Sequence, residues 1–194
     1  MATTRSGNQA TLVVVDVQVG VMDNAWDAPR VIGKVARAVA RAREQAVPVV
    51  WVQHESPELE RDSAAWQLVP ELQPADGEAR VYKRYESSFE GTDFEDQLAQ
   101  LGATHIVLAG ACTNWCIRAT AYAALDRGYD LTLLKDAHTT GPIDLGDGRQ
   151  VEASGIVADL NVTMTWLSYP GRKSGTAATE ELDFALTGGG PSKC

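Results

Sequence analysis

Thr11 to Val17 reads TLVVVDV, an almost unbroken run of apolar, mostly β-branched residues that is far shorter than a membrane span. Such a run is buried on both faces and fits an interior strand of a parallel sheet. It recurs as Val49 to Gln53 (VVWVQ), His105 to Ala109 (HIVLA) and Asp130 to Leu134, with a shorter strand at Val81 to Lys83. Between these runs the apolar period changes. Val31, Ile32, Val35, Val39 and Ala42 share one face of a helix that carries Arg37, Arg41 and Arg43 elsewhere. Thr92 to Leu101 reads as a helix opened by a capping box of Thr92 and Glu95 and closed by Gly102. Thr113 to Arg127 reads as a helix with Thr113 at its N-cap and Gly128 beyond its end. Asp147 is placed to cap a helix running to about Leu160, and Val162 to Trp166 reads as a last strand.

Strands alternating with helices specify an α/β fold: three layers, doubly wound, a mainly parallel sheet with helices on both faces. The 194 residues suffice for one domain. Its core is expected over about residues 11–166. Glu55 to Arg80, with Pro57, Pro70 and Pro74, reads as a long excursion holding at most one short helix. From Gly171 to Cys194 the small and polar residues read as a mobile tail, within which Glu180 to Leu186 has the composition to dock.

The net charge of −9 repels phosphate backbones, so nucleic acid is not an expected partner. Nothing in the chain suggests a membrane partner. The cysteines, Cys112, Cys116 and Cys194, form no paired framework, which suits a reducing compartment. Met1 to Asn8 lacks an apolar core of the secretory kind, so a cytoplasmic location is expected.

Ligands of open parallel sheets bind beyond the carboxyl ends of the strands. Three residues there form a chemical set: Asp16 after the first strand, Lys83 at the third, and Cys116 in the first turn of the helix that follows the fourth. Helix N–H groups and an ammonium would favour the thiolate. A carboxylate could take the thiol proton and return it to a leaving amine. Each residue also has a plain structural reading: a turn aspartate, a solvated lysine, a small core cysteine.

The stretch Leu108 to Thr120, LAGACTNWCIRAT, resembles the nucleophile motif of the isochorismatase-like cysteine hydrolases. Asp16-Val17-Gln18 is similar to the family's D-x-Q. Lys83 with Ser87, Ser88, Phe89 and Thr92 is similar to its K…S-x-F…T segment. Gln53-His54-Glu55 and Trp66 to Pro70 resemble members outside the nicotinamidase branch.

The resemblance implies a six-stranded sheet and a catalytic triad of Asp16, Lys83 and Cys116. It also implies a cis peptide from Ala111 to Cys112 and an oxyanion hole made by the backbone N–H groups of Cys112 and Cys116. The implied reaction cleaves a C–N amide bond of a small molecule through a thioester. A branch of the family, the streptothricin hydrolases, opens a ring amide, so a lactam substrate is the alternative.

Nicotinamidases carry an Asp and several His residues after the second strand and bind a divalent metal. Here only His54 stands there, so neither a catalytic metal nor another cofactor is expected. True isochorismatases lack the cysteine. Asn114 stands where many members have an acid.

The candidate substrate-binding residues are Trp26, Tyr85, Phe89, Trp115, Gln18 and His54, with His54 also read as hydrogen-bonded near the site. His105 and His138 read as structural or solvated, and the spacing of Cys112 and Cys116 leaves a redox role as a minor alternative. A nucleotide-binding module is disfavoured, because the loop Asp16 to Asn24 has no G-x-G-x-x-G. A non-catalytic binding protein is disfavoured by the intact Asp, Lys and Cys set. The family's habit implies a homo-oligomer, a dimer or a tetramer.

Overall fold

The computed structural model describes residues 5–184. The apolar runs become strands β1 (Gln9–Val15), β2 (Val49–His54), β3 (Ala79–Lys83), β4 (Ala103–Ala111) and β5 (Asp130–Thr139). With β8 (Ser174–Ala177) they form a six-stranded sheet in the order β3-β2-β1-β4-β5-β8, and every adjacent pair is parallel. The expected doubly wound architecture is present. β1 lies near the middle, so its carboxyl end, Asp16, falls between the ends of β2 and β4.

Alternation along β1 divides the core. Leu12 and Val14 pack with Val31, Val35, Ala38 and Val39 of helix α2 (Ala28–Glu44). Val13 and Val15 pack on the opposite face. There they meet α3 (Phe94–Gln100), α4 (Arg118–Asp126) and α5 (Ala153–Trp166) through Phe94, Leu98, Ala121, Leu125, Leu160 and Met164. A short α1 (Val19–Met22) follows β1. Among the described residues, the excursion at 55–78 carries no regular helix or strand.

Gly110 shows why the centre of the sheet is so specific. Its φ is +124°, and a Cβ there would lie 1.9 Å from the Val15 carbonyl oxygen. Only glycine lets β4 pass β1 at that point.

Three sequence expectations are corrected. Val162 to Trp166 is the last turn and a half of α5, not a strand. Buried Ala153, Ile156, Val157, Leu160 and Met164 recur at helical spacing, which outweighs the β-branched character of Val162 and Thr163. Asp147 does not cap that helix. It accepts from the Arg149 N–H within a turn joining β6 (Ile143–Asp144) to β7 (Gln150–Val151), where Gly146 and Gly148 both have positive φ.

The third correction concerns residues 171–184, which are not a free tail. β8 completes the sheet against β5. Thr179 donates to Asp136 Oδ1 from both N and Oγ1, at 2.9 and 2.8 Å. Leu182 and Phe184 are buried against the α2 face, and Arg41 donates to the Leu182 carbonyl. Residues 185–194, including Cys194, lie outside the described residues.

Replacing Leu182 with Ala should therefore cost about 2–4 kcal/mol, as for other buried Leu to Ala changes. Urea unfolding would show it. An unchanged midpoint would mean that the segment is the mobile tail its composition suggests.

Candidate active site

Asp16 is the first residue beyond β1 and adopts φ 54°, in the left-handed region that Asp tolerates better than most residues. The turn drops its side chain into the interior, where the residue is 1% exposed. Lys83, the last residue of β3, is equally buried. Its Nζ lies 2.6 Å from Asp16 Oδ2, 3.2 Å from Cys116 Sγ and 3.1 Å from His54 Nδ1. Its hydrogen bonds go to Cys116 Sγ and the His54 ring nitrogen, and the contact with Asp16 is an ion pair. Neither carboxylate oxygen of Asp16 has a hydrogen-bond partner of good geometry among the described residues, so the ion pair with Lys83 is what holds this group.

Cys116 lies in a wide π-helical turn, Thr113–Ile117, that runs directly into α4. The peptide bond from Ala111 to Cys112, at the junction of β4 and this turn, is cis, as the resemblance implies. Cys112, not Thr113, is the N-cap, and no side chain caps the turn.

The electrostatics follow from burial. Burial raises the Asp16 pKa above its ordinary value, against the pull of Lys83. Burial and then the Asp16 charge push the Cys116 thiol well up, with Lys83 opposing. Burial would lower Lys83, but Asp16 and Cys116 outweigh it and leave its pKa raised. Burial and the Lys83 charge lower His54, so its ring is neutral and accepts at Nδ1. In the resting site the thiol is therefore protonated, while Lys83 pairs with Asp16 at 2.6 Å. The sequence had pointed to thiolate stabilisation by the helix start. Burial beside a carboxylate reverses that in the resting site.

Asp16, His54 and Cys116 each offer an atom within 4.8 Å of the others, a spacing suited to a metal ion. Lys83 Nζ lies 2.6–3.2 Å from all three groups, so its ammonium competes with a metal ion for this donor set.

The remaining sequence candidates separate. Gln18 is fully buried, and its amide is used by the fold: Oε1 accepts from the His54 N–H at 2.8 Å, and Nε2 donates to the carbonyls of Trp66 and His54. It fixes the end of β2 and is corrected from a substrate contact to a scaffold residue. Phe89 is also corrected. It is buried, 4.7 Å from the Phe94 ring, and belongs to the core. Trp115, Tyr85 and Trp26 are exposed at 59%, 57% and 40%. Trp115 precedes the cysteine, Tyr85 follows Lys83 by two residues, and Trp26 is tied to Thr139 and Thr140 at the end of β5.

Several site-supporting residues were not legible as such. Ser88 receives no role from its sequence, yet its N–H and hydroxyl both meet Thr120 Oγ1, at 3.0 and 2.9 Å. That contact pins the loop after β3 to the helix of Cys116. Thr140 donates to Asn114 Oδ1 at 2.6 Å. His138 lies in β5, buried and bonded to Thr113, so of its two readings the structural one holds. The apolar run ends at Leu134, but the strand continues through five more residues to Thr139. Carrying β5 through its polar end would have placed His138 and Thr140 at the site.

These motifs and this geometry define a class, and the chain belongs to it: the Isochorismatase domain matches residues 10–153, so the chain is a member of that family. It is 32% identical to a streptothricin hydrolase of Streptomyces noursei over 144 residues, 71% of this chain and 57% of that one. It is 32% identical to the ureidoacrylate amidohydrolase RutB of Methylobacterium radiotolerans over 207 aligned residues, 83% of this chain and 80% of that one. The chain spans about half the length of the streptothricin hydrolases it matches, 57% in one and 49% in another. The fold matches a cysteine hydrolase from Pseudomonas syringae with a TM-score of 0.82, at 18% identity over 89% of this chain and 90% of that one.

Lys83→Met leaves the Asp16 carboxylate buried without its cation, which should destabilise the fold by about 3–5 kcal/mol near neutral pH. The folded-state pKa of Asp16 would then rise further above its unfolded value. The folded state would bind a proton that the unfolded state does not, so the deficit should shrink as pH falls. Urea unfolding of both proteins from pH 5 to pH 8 measures this, and a pH-independent deficit would count against the buried ion pair.

Proposed function

We propose that the protein hydrolyses the C–N bond of a small-molecule amide through a thioester on Cys116, with no catalytic metal. The observation that carries this reading is the buried contact of Lys83 Nζ with both Asp16 Oδ2 and Cys116 Sγ, at 2.6 and 3.2 Å.

Asp16 accepts the thiol proton as Cys116 Sγ attacks the amide carbonyl. Burial suits it to this, since a raised carboxylate pKa makes a stronger base. Lys83 keeps the pair at balanced charge while the proton moves. The N–H groups of Cys112 and Cys116 hold the oxyanion, the role that family resemblance gives them. The C–N bond breaks, and Asp16 passes its proton to the departing nitrogen. Water then gives a proton to Asp16 and attacks the thioester. The C–S bond breaks, the thiolate takes that proton back, and a carboxylic acid leaves.

Similarity to a relative named ureidoacrylate amidohydrolase supports amide cleavage. Similarity to streptothricin hydrolase favours a ring amide as the second reading. Trp26, Tyr85 and Trp115 are exposed aromatic residues available to an apolar or planar acyl group. His54 belongs to the same proposal as a donor: Nδ1 accepts from Lys83, so the proton of the neutral ring sits on Nε2. Metal independence rests on Lys83 competing for the donor cluster. A reducing cytoplasm suits the free thiols, and a dimer or tetramer completes the proposal.

Incubating the protein with a mixed library of open-chain amides and lactams, followed by intact-mass analysis, should reveal an acyl adduct on Cys116 and name the acyl group. Cys116→Ala should abolish both adduct and turnover. Turnover retained in that variant would sink the mechanism. For a substrate so identified, the acid limb of the rate profile should have its midpoint above 3.8, the ordinary carboxylate value from which burial raises Asp16. A limb below that value would rule out Asp16 as the base.

A further inference from the structure

His138 is 1% exposed and sits across the sheet from Gly110, just before the cis peptide. The register between β4 and β5 jumps there: Leu108 pairs with Leu133, but Gly110 pairs with His138. β5 therefore carries a bulge that advances His138 to the reacting end of the sheet. Its ring spans two elements. Nδ1 lies 2.9 Å from Thr113 Oγ1, in the turn of the nucleophile, and Nε2 lies 3.0 Å from Asn161 Oδ1, on α5.

The direction of every bond is fixed. Asn161 Nδ2 donates to the Lys135 carbonyl at 3.0 Å, so Oδ1 is the atom facing His138 and must accept. His138 thus carries its proton on Nε2 and offers the Nδ1 lone pair to the Thr113 hydroxyl. Burial lowers its pKa to about 4, so the ring is neutral over the working range. A neutral histidine with both nitrogens used, none of them on the reacting groups, is a fixed strut between α5 and the π turn.

We propose that His138 is a positioning residue: through Thr113 it holds the turn that aims the Cys112 and Cys116 N–H groups at the oxyanion. Thr113 lies between these two residues, so loosening it misaims the donors first. Sulfur keeps a separate anchor in Lys83 Nζ at 3.2 Å. The inference rests on acyl transfer at Cys116.

Two probes separate the hole from the thiol. p-Nitrophenyl acetate transfers its acetyl group to Cys116 Sγ, releasing p-nitrophenolate through an oxyanion. Iodoacetamide alkylates the same sulfur at a saturated carbon with no oxyanion. Thr113→Val keeps the side-chain shape and removes the hydroxyl. It should slow the p-nitrophenolate burst about tenfold, equal to about 1.4 kcal/mol, and leave iodoacetamide alkylation within about twofold. Thr113→Ser restores the hydroxyl and should bring the burst back to within about threefold of the parent. The double variant Thr113→Val with His138→Leu should be no slower than Thr113→Val alone, since both cut one strut.

An unchanged burst in Thr113→Val overturns the proposal, and so does equal loss of burst and alkylation, or a double variant whose losses multiply. Cys116→Ala is the separate control. If it keeps the burst, acyl transfer at Cys116 fails whatever Thr113 does.

Discussion

The buried contact between Lys83 and Asp16 organises the site. Two charges removed from water cost several kcal/mol each unless they meet at close range with their hydrogen-bonding capacity used. The sheet order brings the two charges to close range by placing the ends of β1, β2, β3 and β4 together, although the Asp16 oxygens have no further partner among the described residues. Asp16 comes from β1, His54 from β2, Lys83 from β3, and Cys116 from the turn that follows β4. The pair is thus both a constraint on the fold, since neither charge tolerates loss of the other, and the means by which a proton can leave sulfur without creating an isolated charge.

The motif residues around the triad act on backbone more than on substrate. Gln18 bonds to both the N–H and the carbonyl of His54 and so fixes the strand end that carries it. Ser88 clamps the loop after Lys83 to Thr120, on the helix of Cys116. His138 reaches the same turn from the other side. Lys83 and Cys116 are therefore held from separate elements. A thiol and an ammonium 3.2 Å apart depend on such holding, because a shift of an ångström would lose the bond between them.

The resting thiol also changes how the nucleophile is understood. A helix start favours thiolate, but burial and the Asp16 charge work the other way and are stronger here. In the proposed mechanism, proton transfer to Asp16 then accompanies attack rather than preceding it. A stored thiolate would invite oxidation and alkylation, whereas a protonated thiol beside a ready base ionises when an electrophile is in place.

By itself the sequence determined five of the six strands of the main sheet, the parallel class, and the place of Asp16, Lys83 and Cys116 at or just beyond strand ends. Those depend on local patterns: β-branched apolar runs, residues just past strand ends, and a motif with fixed spacing. Only the tertiary structure decided the rest. Ser174 to Ala177 is too short and too poor in apolar side chains to read as a strand, and it becomes one because β5 offers an open edge. Phe89 and Trp115 are equally aromatic, and only packing sends one into the core and leaves the other in water. Gln18 and His138 are polar residues whose roles depend on partners 36 and 25 positions away in the chain. The state of Cys116 was beyond the sequence for the same reason: it depends on how deeply the thiol is buried and how near Asp16 lies, and both are set by folding.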